Sequence, residues 1–206
     1  MYIANPYQNH DQQDIEHFIR TNSFGILINQ TRGKLWATHI PLELEVGPDG
    51  KNVLRGHISK ANLQWEGFLE SEDVLAIFSG PHSYISSSWY DYEEVPTWNY
   101  AAVHVYGRIK TMNKADLLAH LTRLVDQYEQ DSQHPVRLAD MSDKTMGQIR
   151  GIVGFEISIT DIQAVRKFSQ TQNQKNFDAI VSHLEKSGTP GASAVAKAMK
   201  SCPRSR

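Results

Sequence analysis

The sequence predicts an α+β protein built on a small β-barrel of six or so mostly antiparallel strands with peripheral helices. Six segments are apolar or alternate apolar and polar residues, as strands do. The breaks between the first five are short and carry turn residues, as in "TRGK" and "GPDGKN", which suits hairpins and is too short for crossover helices. Helical patterns are confined to the start, the late part and the end of the chain.

The strands follow from these segments in chain order. The predicted ranges are 24–30, 35–46, 52–59, 74–80, 95–107 and 151–160. In the last of them, Val153, Phe155 and Ile157 share one face, as expected of a strand with one buried side. The first five are expected to be antiparallel strands linked as hairpins.

Three helices are predicted around this sheet, over 11–21, 113–130 and 174–188. The middle one carries an apolar stripe that includes Leu117, Leu121 and Leu124, and the last ends on Gly188, a good C-terminal stop. We expect a single domain over 1–188, followed over 189–206 by a short helix and a basic tail.

Composition limits the classes of function. The 206 residues include 21 Lys and Arg against 23 Asp and Glu, a net charge of −2, so charge does not predict nucleic-acid binding. The single cysteine, Cys202, excludes an internal disulfide and suits a reducing cytosol. No long apolar run is present, and the N-terminal stretch is acidic and amidic rather than apolar, so we expect a cytoplasmic protein without membrane contact.

The fifth strand, "VPTWNYAAVHVYG", has two unusual faces. Alternation places Thr97, Asn99, Ala101, Val103 and Val105 on one side, which suits a tight core. The opposite side carries the following residues: Trp98, Tyr100, Ala102, His104 and Tyr106. An apolar face of that length rarely stays exposed on a monomer, so a partner subunit, a planar ligand, or both, should cover it.

A polar cluster in "LRGHISKANLQW" suggests a phosphate site. Arg55, His57 and Ser59 share one face, and Ser59 stands where the N-cap of a helix in "KANLQWEGF" would be. Lys60 and Arg55 would neutralise an anion at that helix start. The alternative is a capped helix with a solvated lysine.

The aromatic stretch "GPHSYISSSWYDYEEVPTW" is either a structural loop or a surface for a flat, apolar ligand. Other chemistry has little support. The histidines lack metal-site spacing, and no G-x-S-x-G elbow is present.

Several blocks together resemble the PaiB-type proteins, known as FMN-binding negative transcriptional regulators. These blocks are "LRGHISKANLQW", "FSGPHSYISSSWY", "VPTWNYAAVHVYG", "IVGFEI" and "KFSQ", in that order along the chain. The resemblance implies the FMN-binding split-barrel fold and a homodimer with flavin at the subunit interface. The chain departs from the family pattern at Leu63, Ser87, Phe168 and Thr171. The change at Thr171 puts one flavin contact in doubt.

The resemblance also implies a set of cofactor-binding residues. The FMN phosphate would be held by His57, Ser59, Lys60 and Asn62. The flavin ring would lie along the backbone of Thr38, His39 and Ile40. The second subunit would contribute the following groups: Trp89, Trp98, Asn99, Lys167, Ser169 and Gln170. No metal is expected.

The implied function is negative transcriptional regulation, which we expect to be indirect, because no helix-turn-helix is evident and only the tail "KAMKSCPRSR" is basic. One alternative is an FMN-dependent oxidoreductase acting on a small metabolite, with His39 or His104 as its base. Another is a haem-binding split barrel with axial ligands among His39, His57 and His104. The substrate and the reductant are not predicted.

Overall fold

The computed structural model describes residues 1–202 and folds them into seven strands and six α-helices. The strands are β1 (Phe24–Thr31), β2 (Lys34–Pro41), β3 (Glu43–Val46), β4 (Asn52–Ser59), β5 (Asp73–Ile85), β6 (Thr97–Thr111) and β7 (Ile152–Lys167). The helices are α1 (Gln12–Thr21), α2 (Gly67–Glu70), α3 (Lys114–Glu129), α4 (Asp143–Met146), α5 (Gln174–Lys186) and α6 (Ala192–Ser201). Within this part of the chain, no helix is both long and apolar enough to span a bilayer.

The strands form one antiparallel sheet in the order β2-β1-β5-β6-β7-β4-β3. Although β2 and β4 stand near opposite ends of this order, they contact each other, as the strands of a curled, barrel-like sheet do. The predicted α+β class with a mostly antiparallel barrel is confirmed. The expected hairpin between the strands at 52–59 and 74–80 is wrong, because β4 pairs with β3 and β7, whereas β5 pairs with β1.

The strand boundaries differ from the prediction in two ways. The segment 35–46 divides into β2 and β3 at Leu42, whose fully buried side chain and bond from its N–H to the Ser23 carbonyl (2.8 Å) mark the break. In addition, β5, β6 and β7 continue past their predicted ends, to Ile85, Thr111 and Lys167. The first part of the predicted aromatic loop therefore belongs to a strand.

The residues group into two compact units. The central unit comprises Ile19–Ile77 and Val105–Ile162. The terminal unit comprises Met1–Phe18, Phe78–His104 and the described residues from Gln163 onward. The strands β5, β6 and β7 contribute residues to both units.

The terminal unit has a core built largely by α5 and α6. Asn173 caps α5 by accepting a bond from the Asn176 N–H (2.9 Å), and the apolar faces of both helices are buried in one cluster. The short helix expected after residue 188 is present as α6, with Val195 and Met199 in this cluster. The basic end at 203–206 lies outside the described residues, and the domain boundary at 188 stays a prediction.

In the central unit, α3 packs on a second apolar cluster. Asn113 caps the helix by accepting bonds from the backbone N–H groups of Ala115 (2.9 Å) and Asp116 (3.0 Å). Gly154 of β7 allows close packing, since a Cβ there would lie 2.7 Å from Leu117 Cδ1. This approach brings the start of α3 close to the start of β7.

The two faces of β6 differ as predicted. Asn99, Ala101, Val103 and Val105 are buried, whereas the residues between them remain partly exposed. Trp98 keeps 53% of its surface exposed. A single chain therefore leaves the aromatic face of β6 incompletely covered.

Candidate functional site

A hydrogen-bonded cluster in the central unit joins β2 to the turn after β4. The Asn62 amide Nδ2 donates to Thr38 Oγ1 (2.8 Å), and the Thr38 hydroxyl donates to Gln64 Oε1. Asn62 Oδ1 in turn accepts a bond from the Gln64 N–H (3.1 Å). Two of the predicted cofactor residues, Thr38 and Asn62, are thus joined directly.

Gln64 holds this cluster together, although it was not among the residues predicted for the site. Its side chain is fully buried, and Nε2 donates to the Leu27 carbonyl (3.0 Å) and to Asn29 Oδ1 (2.8 Å). The amide therefore links β1, β2 and the turn after β4. Gln64 lies in "ANLQW", where no alternation of apolar and polar residues indicates which side chains are buried. Its burial becomes evident only in the folded structure.

The step after β4 differs from the predicted helix start. Asn62, and not Ser59, caps the short 3₁₀ turn Leu63–Glu66. Ser59 and Lys60 have exposed side chains, and Ser59 Oγ accepts from the Ala61 N–H (3.2 Å). The Ser59 hydroxyl hydrogen and the Lys60 ammonium therefore remain available to a ligand.

Arg55 does not have the anion-neutralising role expected of it. Its guanidinium donates to Glu156 Oε2 (2.7 and 2.9 Å) and Glu45 Oε2 (2.6 Å). Although burial lowers the pKa of Arg55, the bonds to these two carboxylates outweigh it and raise the pKa. The two carboxylates thus neutralise the charge of Arg55. Of the two cations predicted to bind a phosphate, Arg55 and Lys60, only Lys60 remains available.

The other cofactor-binding residues predicted in the central unit have different surroundings. His39 is exposed and stacks on Phe24 with ring centroids 6.3 Å apart, whereas the Ile40 side chain is buried. The β2 backbone around them lies at a sheet edge, so one side of it has no strand partner in the sheet order. His57 is partly buried, and burial lowers its pKa.

His57 has a second histidine as its neighbour. The ring of His120, on α3, lies edge-on to the His57 ring at 5.7 Å between centroids. His120 is 1% exposed, and Glu45 Oε1 is 3.7 Å from its Nδ1. Among residues 1–202, neither ring nitrogen of His120 has a hydrogen-bond partner. Burial, with a smaller contribution from the charge of His57, lowers the pKa of His120 to about 4. The sequence places these histidines on different elements and gave no sign of the pair.

The remaining predicted residues belong to the terminal unit, where three of them border one small cavity. Asn99 is fully buried and donates to Ser169 Oγ (2.9 Å). The Lys167 ammonium donates to Thr97 Oγ1 and lies 5.8 Å from the centre of the Tyr7 ring. The cavity that these groups line measures about 180 Å³, less than the roughly 300–1,000 Å³ of typical small-molecule pockets.

Gln170, Trp89 and Trp98 do not share that cavity lining. Both amide hydrogens of Gln170 are used inside the chain, on the carbonyls of Arg166 (2.7 Å) and Pro6 (3.2 Å). Trp89 stacks on His183 at 4.9 Å between ring centroids. Trp98 is half exposed. Gln170 is thus placed to fix the backbone around Ser169, which has a left-handed φ of 56°.

Comparison with known proteins identifies the family. Residues 1–161 match the family described as "Putative FMN-binding domain". The chain is also 39% identical over 201 residues to the Bacillus subtilis "Protease synthase and sporulation protein PAI 2", covering 97% of both chains. The chain belongs to this FMN-binding family. The predicted PaiB-type membership is confirmed, and FMN is the cofactor of the family.

The chain is also similar to a fungal relative and to two solved structures. An Emericella nidulans protein, AN0679, is 26% identical over 242 residues, covering 97% of this chain and 96% of that protein. The flavocytochrome Anf3 from Azotobacter vinelandii superposes with a TM-score of 0.61 at 16% identity, over 84% of this chain and 75% of that one. An FAD and heme binding protein from Mycobacterium smegmatis gives 0.60 at 13% identity, over 78% and 73%. These two structures show the fold, which is the predicted split barrel.

Proposed function

We propose that this FMN-binding protein is a PaiB-type regulator that works as a homodimer, with the flavin held at the seam between subunits. The observation that supports the dimer is that the aromatic face of β6 is only partly covered. The opposite face of the strand, with Asn99, Ala101, Val103 and Val105, is buried. Rows of aromatic side chains rarely remain exposed on monomers. A second subunit and a flat, three-ring cofactor would both bury them.

The strand-end residues fit the phosphate of FMN. Ser59 and Lys60 have exposed side chains, and Asn62 Nδ2 retains one hydrogen beyond its bond to Thr38. We assign these three side chains to the phosphate, with the partly buried His57 beside them. Thr38 has given its hydrogen to Gln64, so its role is to orient Asn62 rather than to donate to the cofactor.

The flavin ring would lie against the unpaired backbone edge of β2 at 38–40. From the partner subunit we expect Trp98, Asn99, Lys167 and Ser169 to face the ring, with Trp89 and Gln170 supporting them. Once bound, FMN supplies hydride or electron transfer. The protein's part is to bind, orient and shield it.

The regulatory role is proposed to be indirect. The name of the Bacillus subtilis relative connects that protein with protease synthesis and sporulation. The net charge of −2 argues against affinity for the phosphate backbone of DNA. A gel-shift assay over a range of salt concentrations tests this: shifted DNA with a steep salt dependence would contradict indirect regulation. The lone cysteine supports a cytoplasmic location.

A flavin-dependent oxidoreductase is the second candidate. The observation in its favour is His104, whose buried Nδ1 has no hydrogen-bond partner within the described structure. Burial, and to a lesser degree the N-terminal ammonium, lowers the pKa of His104, so it is neutral at pH 7 and able to accept a proton. Flavin-dependent turnover of a nicotinamide donor that His104→Phe abolishes would favour this function over a purely regulatory one.

The direct test of cofactor binding is the visible spectrum of the purified protein together with the mass of any released ligand. A flavin spectrum and the mass of FMN are expected. A Soret band would instead indicate haem.

Lys60→Ala should weaken FMN binding by about 1–3 kcal/mol, because a charge-assisted hydrogen bond to the phosphate is lost. Riboflavin, which has no phosphate, should bind the variant and the parent equally. Lys51→Ala, which changes an exposed lysine in the turn before β4, is the matched control. Flavin fluorescence titration measures the affinities of the parent and of both variants. Equal FMN affinity for the parent and Lys60→Ala would remove Lys60 from the phosphate site.

A further inference from the structure

A second cavity, of about 570 Å³, lies in the central unit between the start of α3 and the segment 143–152. Its volume is within the range of small-molecule sites. Three cationic side chains, Lys60, Lys114 and Arg150, line it together with one carboxylate, Asp143. Its apolar lining comes from the following residues: Leu117, Leu118, Met146, Ile149 and Ile152.

The charges in this cavity are not neutralised by the protein. Within residues 1–202, no ion pair involves Lys60, Lys114, Arg150 or Asp143. Three positive charges and one negative charge leave a local excess of two. Convergent, unpaired cations beside a low-dielectric wall attract an anion.

The rest of the lining favours an aliphatic or aryl body over a flavin. The wall consists of aliphatic and thioether side chains, and no aromatic ring, amide or hydroxyl side chain from the described part of the chain lines the cavity. The ring heteroatoms of a flavin would find few hydrogen-bond partners there. An apolar chain would instead bury against Leu118, which keeps 39% of its surface exposed.

We propose that this cavity binds a small organic acid: one carboxylate, held by Lys114 and Arg150, on an apolar body that packs against α3 and Ile149. Lys60 lines the same cavity and is also assigned to the FMN phosphate. The acid would therefore sit beside the cofactor, as an effector or a substrate of the protein. Binding of the acid does not require FMN, so the two proposals can fail separately.

Straight-chain carboxylates test the class of ligand. Calorimetric titration of the full-length protein with butanoate, hexanoate and octanoate should show affinity rising with chain length, by up to about fourfold per methylene. Hexan-1-ol and hexylamine, which have the same body without the negative charge, should bind at least tenfold more weakly than hexanoate. Equal binding of hexanoate and hexan-1-ol would overturn the proposal.

Four variants test the location. Lys114→Gln and Arg150→Gln should each weaken octanoate binding about fivefold, the effect expected for one partly exposed charge pair. Asp143→Asn should tighten it, because a like charge is removed. Lys144 is an exposed lysine on the same short helix as Asp143, but it does not line the cavity. Lys144→Gln should therefore leave octanoate binding unchanged. All four positions are exposed, so the fold is expected to survive, and circular dichroism checks this.

Competition with FMN separates the cavity from the cofactor site. Octanoate affinity that persists at saturating FMN supports a distinct site. Displacement of octanoate by FMN would assign the cavity to the cofactor. Octanoate affinity that is the same in the parent, Lys114→Gln and Arg150→Gln would place the acid elsewhere. Either result would overturn the inference. A protein that binds octanoate as described but takes up no FMN would contradict the proposed function alone.

Discussion

Gln64 shows how one buried side chain can organise a candidate cofactor site. Its amide bonds to the Leu27 carbonyl, Asn29 and Thr38, all inside the central unit. A buried polar group is costly when it loses its partners, because it has already lost its water. Gln64 is therefore expected to contribute to stability and, through Thr38, to the position of Asn62.

Gln64→Met removes these bonds while keeping the side-chain volume close to that of glutamine. We expect a loss of about 2–4 kcal/mol in the free energy of unfolding, since several buried partners become unsatisfied at once. Urea denaturation measures it. Gln30→Met, at an exposed position of β1, is the control and should change stability by less than about 0.5 kcal/mol. Equal losses in the two variants would show that the Gln64 bonds contribute little.

His120 gives a residue-scale prediction about pH. Its pKa is lowered from 6.5 to about 4 in the folded protein, chiefly by burial, so the folded state favours the neutral ring. Below pH 6.5 the unfolded chain binds the proton more readily. The stability associated with the neutral ring is therefore complete above pH 6.5 and is lost as the pH falls toward 4.

We expect the native protein to lose on the order of 1–3 kcal/mol between pH 7 and pH 4 through this group, and His120→Phe to lose correspondingly less over the same interval. Unfolding free energies at a series of pH values measure the difference. His134→Phe, at an exposed histidine, should retain the native pH dependence. A native-like pH profile in His120→Phe would assign the dependence to other groups.

Single residues also show what a sequence pattern can predict and what it leaves out. Asn62 and Thr38 were predicted to belong to one site, and they are bonded to each other. Arg55 was expected to face an anion, but two carboxylates hold it: Glu45 on the neighbouring strand β3, and Glu156 on β7, 101 residues away along the chain. A charge pattern on one strand cannot reveal which charges its neighbours in the sheet will bring.

Among the elements, β7 shows why strand lengths are harder to predict than strand positions. Its predicted end at residue 160 follows from the loss of apolar alternation at Asp161 and Gln163. The strand nevertheless continues to Lys167, with a second buried stretch at Ala164 and Val165. This second stretch lies in the terminal unit, whereas the first lies in the central unit. The alternation of the first stretch therefore does not predict where the strand ends.

The packing of β6 on β7 gives an element-scale prediction. A Cβ added at Gly107 would lie 2.5 Å from Ile157 Cγ2 and 2.6 Å from the Ser158 carbonyl oxygen. The backbone contact cannot be relieved by a side-chain rotation, so Gly107→Ala should destabilise the protein by about 1–3 kcal/mol. Gly151→Ala is the control, since nothing lies within 4 Å of its added Cβ. Matching urea midpoints for the two variants would contradict this account.

For the whole molecule, the fold class was predictable because it depends on local features: short turns, strand periodicity and helices near the ends. The sheet order and the association of strands into two units depend on long-range pairing, which those features do not encode. The family resemblance supplied the fold name and the cofactor, and the matches confirm both.

The proposed homodimer can be tested at the aromatic face of β6. Trp98 lies on the partly exposed face of β6, and a second subunit would bury it along with Tyr84, which is 46% exposed beside it. Burying large aromatic side chains is among the strongest contributions to an interface, so a charge placed there should be costly. We therefore expect Trp98→Arg to convert a dimer to monomers and to weaken FMN binding.

Sedimentation velocity at micromolar concentration distinguishes dimer from monomer, and it is run with and without FMN. The control is Tyr2→Arg, which places the same charge at an aromatic residue that is 89% exposed and lies outside the β6 face. The parent and the Tyr2 variant should sediment as dimers, and the Trp98 variant as a folded monomer. If the parent protein is itself a stable monomer that binds FMN with full affinity, the cofactor must be held within one subunit, and the β6 face would then need another partner to cover it.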